Sequence, residues 1–236
     1  MTAKWLALLM IAFLPPGLYV MWIRNTERRH REPWIPIVVC FVWGATLAVV
    51  VTVILEVLLR IPLSRSLIGG NFRELVSVAV IAPVVEEFAK PIVLGFKIVR
   101  RKSDEIEDGF VYGAAAGLGF SATENLSYEW RYISAGLVLF LVLVVVRSIA
   151  CCLVHASTTA ITGYGYARSI VERKPFVAAL PFFLLAIGIH AFYNSMVFLV
   201  SFVILGGVIS IAAAFVFAFL CVRFVRKKIR EFDRRR

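Results

Sequence analysis

The sequence predicts an all-α protein, a polytopic transmembrane helical bundle of about seven spans that forms a single domain over residues 1–236. Hydrophobic residues make up 61% of the 236 residues, whereas soluble domains have an apolar share of about 45–50%. The mean hydropathy is +0.87. The charged residues concentrate between apolar runs that reach the ~20 residues needed to cross a bilayer.

Seven apolar runs are candidate spans. They lie near residues 4–23, 34–59, 73–96, 109–128, 134–167, 176–199 and 202–224. The first run contains Pro15 and Pro16, and the charged segment RNTERRHRE follows it with no small-residue cleavage site. We therefore interpret it as a retained helix and not as a signal peptide.

The basic residues predict the orientation of the bundle. One alternate set of loops, together with the C-terminal tail, holds nineteen Lys and Arg residues, and the other set holds five. By the positive-inside rule the rich side is cytoplasmic, which places the N-terminus outside and the C-terminus inside. The same distribution accounts for the net charge of +11 without nucleic-acid binding, which we do not expect.

The third span contains three charged residues in an otherwise apolar stretch, IAPVVEEFAKPIVLG at 81–95. Ionisable groups inside a membrane are costly and indicate a functional site. On a helix, Lys90 is three residues from Glu87 and four from Glu86, so its ammonium can neutralise either carboxylate. Pro83 and Pro91 flank the three charges, and we expect the helix to be kinked or loosened there.

The fourth span, 109–128, combines small residues with a carboxylate. Glu124 lies one turn after Phe120 and directly before Asn125. Small residues four apart allow two helices to pack closely. The glycines with this spacing are Gly109, Gly113 and Gly117.

The fifth and sixth spans each carry one histidine. His155 belongs to a polar stripe with four-residue steps that also contains Arg147, Cys151 and Thr159. On the sixth span, Asn194 follows His190 by one turn and can orient whatever the imidazole binds.

Helix rise predicts that four of these groups share one depth in the membrane. Counted from the cytoplasmic ends at ~1.5 Å per residue, Glu86 lies ~15 Å deep, His155 ~18 Å, His190 ~21 Å and Glu124 ~22 Å. The same count puts Arg147 at ~30 Å, near the outer surface, where an arginine is ordinary.

Two histidines and nearby carboxylates permit two kinds of hydrolytic site. They are the ligand set of a zinc hydrolase, in which the ion acidifies a bound water. A desolvated glutamate could instead take the proton from water without a metal, with imidazole and amide groups stabilising the oxyanion. The chain contains no HExxH motif, so any metal ligands must come from separate helices.

These motifs together resemble the PrsW family of intramembrane proteases, within the wider group that includes the CAAX prenyl endopeptidases. The resemblance covers residues 82–195. The EExxK motif is similar to the segment from Glu86 to Lys90, and the phenylalanine four residues before a glutamate is similar to Phe120 and Glu124. The single histidines of the third and fourth motifs are similar to His155 and His190. The CAAX branch has histidine in the second motif, so Glu124 favours PrsW.

The resemblance implies an intramembrane endopeptidase, a probable metalloprotease of the cell membrane. Its substrates would be membrane-anchored proteins, such as the anti-sigma factor that PrsW cuts. We assign the base to Glu86, supported by Glu87, and the charge neutralisation to Lys90. Metal ligands or oxyanion stabilisers are then Glu124, His155 and His190, with zinc as the expected ion, and Asn194, Phe120 and Asn125 complete the expected site.

Two other classes remain open at this point. Buried Glu, His and Lys also occur in proton-coupled transporters. These often contain internal repeats, and we find no second copy of the EExxK segment. A non-catalytic membrane scaffold is the other alternative, and the two adjacent glutamates disfavour it.

Overall fold

The computed structural model of the chain describes residues 2–64, 69–200 and 204–234, and all regular secondary structure within them is helical. We number the helical segments α1 to α8. They are α1 Thr2–Arg24; α2, composed of Trp34–Trp43, Gly44–Ala48 and Val49–Ser64; α3, composed of Gly70–Val76, Ser77–Ile81, Ala82–Ala89 and Lys90–Gly95; α4 Lys97–Arg100; α5 Asp108–Tyr132; α6, composed of Leu137–Val146, Arg147–Cys151 and Cys152–Val171; α7, composed of Phe176–Ala179 and Leu180–Val200; and α8 Ile204–Asp233.

The structure confirms the all-α class and a membrane protein with several spans. Among the described residues, four helices are long and apolar enough to cross a bilayer: Lys4–Arg24, Trp34–Pro62, Leu137–Val171 and Phe176–Phe198. The count of seven spans and the orientation of the termini stay predictions. Residues 202–203 of the seventh predicted span, and the counted basic residues at 65, 235 and 236, lie outside the described residues.

Helix α5 occupies the centre of the bundle, where it packs mainly against α6, α1 and α2. Nearly all of its first fifteen residues are buried. Because neighbouring helices and not lipid surround it, α5 can carry many glycines and polar residues, and this explains its low hydropathy.

The glycines of α5 bring α6 into backbone contact, as their spacing predicted. A Cβ atom added at Gly117 would overlap the carbonyl oxygen of His155. Equivalent overlaps would occur at Gly113 with Thr159 and at Gly109 with Gly163. The helices that carry Glu124 and His155 therefore pack with their backbones in direct contact.

Helix α3 changes its winding on both sides of Glu86 and Glu87, close to its two prolines. A π-helical turn at Ser77–Ile81 precedes Pro83, and the helix tightens to 3₁₀ geometry over Lys90–Gly95, where Pro91 lies. Proline lacks the N–H that would continue the regular hydrogen-bond ladder, which accounts for the irregular winding expected there. Another π-helical turn, at Arg147–Cys151, precedes His155 in α6.

Candidate active site

Lys90 lies at the centre of a buried polar cluster between α3, α5, α6 and α7. Its side chain has no exposed surface. The ammonium nitrogen lies 3.0 Å from Glu87 Oε1, 3.1 Å from Glu86 Oε2 and 2.9 Å from His155 Nδ1. One lysine therefore pairs with both carboxylates of its own helix and reaches a histidine of α6.

Glu87 is held by donors from three helices. Its Oε1 accepts hydrogen bonds from Lys90 Nζ at 3.0 Å and from Thr158 Oγ1 at 2.9 Å, and it lies 2.9 Å from His190 Nδ1. Its Oε2 accepts from Thr159 Oγ1 at 3.2 Å. Sequence reasoning missed both threonines as partners of Glu87, although Thr159 belongs to the polar stripe of α6. This carboxylate has no free oxygen, so it anchors the site.

Glu86 differs from its neighbour because its buried Oε2 atom pairs with the Lys90 ammonium at 3.1 Å and is not held by the threonine donors that bind Glu87. That oxygen lies 3.8 Å from His155 Nδ1 and 3.8 Å from His190 Nε2. We assign the Nδ1 proton of His190 to its contact with Glu87, which leaves an Nε2 lone pair towards Glu86. The predicted meeting of Glu86 with the two histidines is thus present in the structure.

Arg147 connects to the site through Glu124, and the prediction that it is an ordinary residue of the outer surface is wrong. Its side chain is buried, and Nη2 lies 3.1 Å from Glu124 Oε2. The same oxygen lies 2.9 Å from His155 Nε2. The depth count missed this because it measures height along a helix and ignores neighbours in the bundle. The sequence did contain a sign of this contact: Arg147, Cys151 and His155 follow one another at four-residue steps, so they lie on one side of α6.

The three supporting residues take different positions. The Phe120 ring lies 4.6 Å below Lys90 Nζ, close enough for a cation–π contact. Asn125 binds the same arginine as Glu124: its Oδ1 accepts from Arg147 Nε at 3.0 Å. Asn194 donates through Nδ2 to the Val78 carbonyl at 3.0 Å, so it joins α7 to the π-helical turn of α3 and does not contact His190.

Three donors at this site are close enough together to hold one metal ion, which would displace the Lys90 ammonium from His155 Nδ1. Glu86, His155 and His190 each offer one ligand atom, and the three atoms lie within 4.8 Å of one another. Two ligands of a tetrahedral zinc are separated by about 3.4 Å, given bonds of about 2.0–2.1 Å, and the separations from Glu86 are 3.8 Å. Three carboxylates face two cations in the cluster, so one negative charge is left for a further cation.

An apolar cavity of about 640 Å³ lies beside the site, between α3, α6 and α7. Phe88 and Thr162 line it; the first follows Glu87 directly, and the second lies one turn beyond Thr158. Most of the remaining lining is apolar, and Phe176 and Phe183 contribute to it from α7. The cavity therefore offers an apolar polypeptide a position next to the polar cluster.

A buried cluster of Glu, His and Lys at the meeting point of several membrane helices is typical of an intramembrane enzyme or ion carrier. The family model of PrsW family intramembrane metalloproteases matches residues 32–222. The chain therefore belongs to the PrsW family, and it is a multi-pass protein of the cell membrane.

A curated relative agrees with this assignment. The chain is 31% identical over 125 residues to Protease PrsW of Clostridioides difficile (strain 630), a match that covers 52% of this chain and 50% of the relative. The chain thus matches about half the length of that protein. No solved structure matches the chain significantly.

Proposed function

We propose that the chain is an intramembrane endopeptidase that hydrolyses peptide bonds of membrane-anchored proteins, with regulators of the anti-sigma-factor type as the substrate class. Membership of the PrsW family and the relative named Protease PrsW support this proposal. Neither the transporter nor the scaffold alternative is favoured by a contact in the cluster.

The observation that carries the proposal is the position of Glu86 Oε2, which pairs with Lys90 at 3.1 Å and faces both imidazoles at 3.8 Å. Glu87, by contrast, is held by donors at both of its oxygens, so it is less available for reaction. The two imidazoles and Glu86 Oε2 therefore face one place at which a small reactant would bind. In this proposal Glu86 is the reactive carboxylate, and it takes the proton of the attacking water.

The surrounding residues hold Glu86 ready for that role. Glu87 fixes His190 through Nδ1, which keeps the Nε2 lone pair directed at Glu86. Lys90 limits the repulsion between the two adjacent carboxylates. Arg147 holds Glu124 against His155 and thereby orients the imidazole from its other side.

A divalent metal bound here would acidify water and polarise the scissile carbonyl. Glu86, His155 and His190 are the donors that the structure groups together. The ligand set expected from the sequence, Glu124, His155 and His190, stays a prediction. In the structure Glu124 contacts Nε2 of His155, whereas Glu86 lies on the side of Nδ1. The two sets differ only in which glutamate binds the ion, so the other glutamate is the candidate base.

Reporter cleavage combined with metal analysis tests both points. The full chain and the variants Glu86→Gln, Glu124→Gln and His190→Ala are co-expressed with a reporter that carries single-pass membrane segments, and the metal content of each purified protein is measured. We expect Glu86→Gln to lose at least 100-fold in cleavage, since general-base catalysis contributes about 10²–10⁴-fold.

The metal content then separates the two roles of Glu86. If Glu86→Gln keeps the metal of the wild type and Glu124→Gln loses it, Glu86 is the base; the reverse result makes Glu86 the ligand. If no metal is present in any active protein, the glutamate acts alone. A matched control is Glu172→Gln, because Glu172 lies in a polar loop and pairs with Arg168. Cleavage by Glu86→Gln at the rate of the control would refute the proposal.

A further inference from the structure

A second group of buried carboxyls lies at the end of the bundle where the arginine-rich loop 25–33 meets the start of α5. Glu27 and Glu32 belong to the loop, and Asp108 is the first residue of α5. Their exposed fractions are 1%, 5% and 1%. One carboxylate oxygen from each lies within 4.8 Å of the other two. This group is remote from Glu86, since Asp108 and Glu124 are separated by about 24 Å along α5.

The nearby arginines do not neutralise this group. Arg24 Nε donates to the backbone carbonyl of Glu32 at 2.7 Å, and Arg31 Nε donates to that of Glu27 at 3.1 Å. Within residues 2–64, 69–200 and 204–234, no lysine, arginine or histidine forms an ion pair with any of the three carboxyls. Their negative charge is therefore uncompensated by protein cations.

Each carboxyl is held in place by one donor. The Glu32 N–H donates to Glu27 Oε2 at 3.2 Å, the Glu105 N–H donates to Asp108 Oδ2 at 2.6 Å, and the Tyr112 hydroxyl donates to Glu32 Oε2. Two further oxygens, Glu27 Oε1 and Asp108 Oδ1, are fully buried and have no hydrogen-bond partner among the described residues. Buried carboxyl oxygens without a donor require an explanation, and a bound ion is one that satisfies several of them at once.

Protons compete with a cation for these carboxyls. Burial raises the pKa of Glu27 to about 8, and repulsion from Asp108 adds to the effect. Burial, the charge of Asp108 and a hydrogen bond with the Asp108 carboxyl raise the pKa of Glu32 to about 10. Carboxylate oxygens are the ligands that Mg²⁺ and Ca²⁺ prefer, and a bound dication would remove the repulsion among all three groups.

We propose that Glu27, Glu32 and Asp108 form a binding site for a hard divalent cation of the Ca²⁺ and Mg²⁺ class, at the end of the bundle predicted to face the cytoplasm. The ion would fasten loop 25–33 to the start of α5, the helix that carries Glu124. Asp233 of α8 already holds the same loop, because its carboxylate accepts from the Arg28 and Arg29 N–H groups. The site is structural, and it is independent of the proposed protease activity.

Thermal unfolding of the purified, chelator-stripped full chain in detergent tests the proposal, with Ca²⁺ and Mg²⁺ added in separate titrations. At 100 times the dissociation constant, a ligand specific for the folded state raises the melting temperature by about 5 °C or more. We expect this shift with at least one ion in the wild type, in Glu86→Gln and in the control Glu172→Gln. We expect it to be lost in Glu27→Gln and in Asp108→Asn.

The size of the shift for each ion identifies the preferred cation. Without metal, Glu27→Gln is expected to melt at or above the temperature of the wild type, because one uncompensated charge is removed. The absence of any shift in the wild type would overturn the proposal and would mean that protons alone neutralise the cluster. Equal shifts in the wild type, Glu27→Gln and Asp108→Asn would also overturn it, because the ion would then bind elsewhere.

Terbium luminescence supplies a measurement that needs no folded variant of the acidic residues. Tb³⁺ binds oxygen sites of the Ca²⁺ type and emits when a neighbouring tyrosine is excited. Tyr112 contacts Glu32 directly, so the wild type should sensitise Tb³⁺, and Ca²⁺ or Mg²⁺ should displace it. The absence of displaceable emission from the wild type would contradict the site.

Discussion

Replacing Lys90 by methionine should destabilise the protein strongly while nearly preserving the shape of the side chain. The ammonium contacts Glu86, Glu87 and His155 within 3.1 Å, and its side chain has no exposed surface. Removing one partner of a buried ion pair costs about 3–5 kcal/mol, because the remaining charge stays buried. For a chain of this length, each kcal/mol lowers the melting temperature by about 2–4 °C. The expected decrease is therefore about 6–20 °C.

The buried free thiols of the chain allow this loss to be measured in detergent. Cys40, Cys151 and Cys152 are buried and unpaired, so a thiol-reactive fluorescent dye reports the temperature at which the bundle opens. The matched control is Lys97→Met, since Lys97 is an exposed lysine just beyond the same helix. The control should melt within about 2 °C of the wild type, because exposed charges contribute little.

A double variant tests the reason for the loss. Glu87→Gln keeps the side-chain shape and removes one of the two charges that Lys90 neutralises. Lys90→Met combined with Glu87→Gln should therefore recover at least half of the decrease caused by Lys90→Met alone. If the single variant melts like the control, or if the double variant melts no higher than the single one, the buried ion pairs do not hold the site together.

Two further substitutions test the contacts of α5. Arg147→Met should reduce reporter cleavage at least tenfold, because it frees Glu124 from its ion pair. Arg147→Lys should retain only part of the wild-type rate, since lysine lacks the planar fork of arginine. Equal rates for the wild type and both variants would contradict the positioning role of Arg147. Gly117→Ala should lower the melting temperature by several degrees, because its methyl group overlaps the His155 carbonyl oxygen. Gly17→Ala, at a helical glycine with open space around it, should cause no loss, and equal melting temperatures for the two alanine variants would refute the close contact.

The sequence predicted the parts of the site that depend on position along a helix. Depth and residue type together placed Glu86, Glu124, His155 and His190 in one layer, and the structure brings their side chains together. The same method failed for Arg147, because no spacing rule states which residue of another helix faces it. The hydroxyl groups of Thr158 and Thr159 were overlooked for a related reason: threonine is common in membrane helices, and only the neighbouring Glu87 gives these two a role.

The acidic group at the end of the bundle shows another limit of sequence reasoning. The arginines of loop 25–33 predict the orientation of the bundle. Nothing in the sequence of the loop indicates that Glu27 and Glu32, which lie among them, are buried. Asp108 is 76 residues further along the chain than Glu32. Only the packing of the loop against α5 reveals that the three carboxyls share one buried position.

The glycine contacts between α5 and α6 divide the buried polar cluster into a fixed half and an adjustable half. Glu124 and His155 belong to two helices whose backbones touch, and such a pair cannot separate without losing its whole interface. Glu86 belongs to α3, whose winding changes on both sides of the charged residues. A substrate that needs space can obtain it by displacing α3 or α7, which border the apolar cavity together with α6. Such a displacement would leave the Glu124–His155 pair in place while a substrate enters beside it.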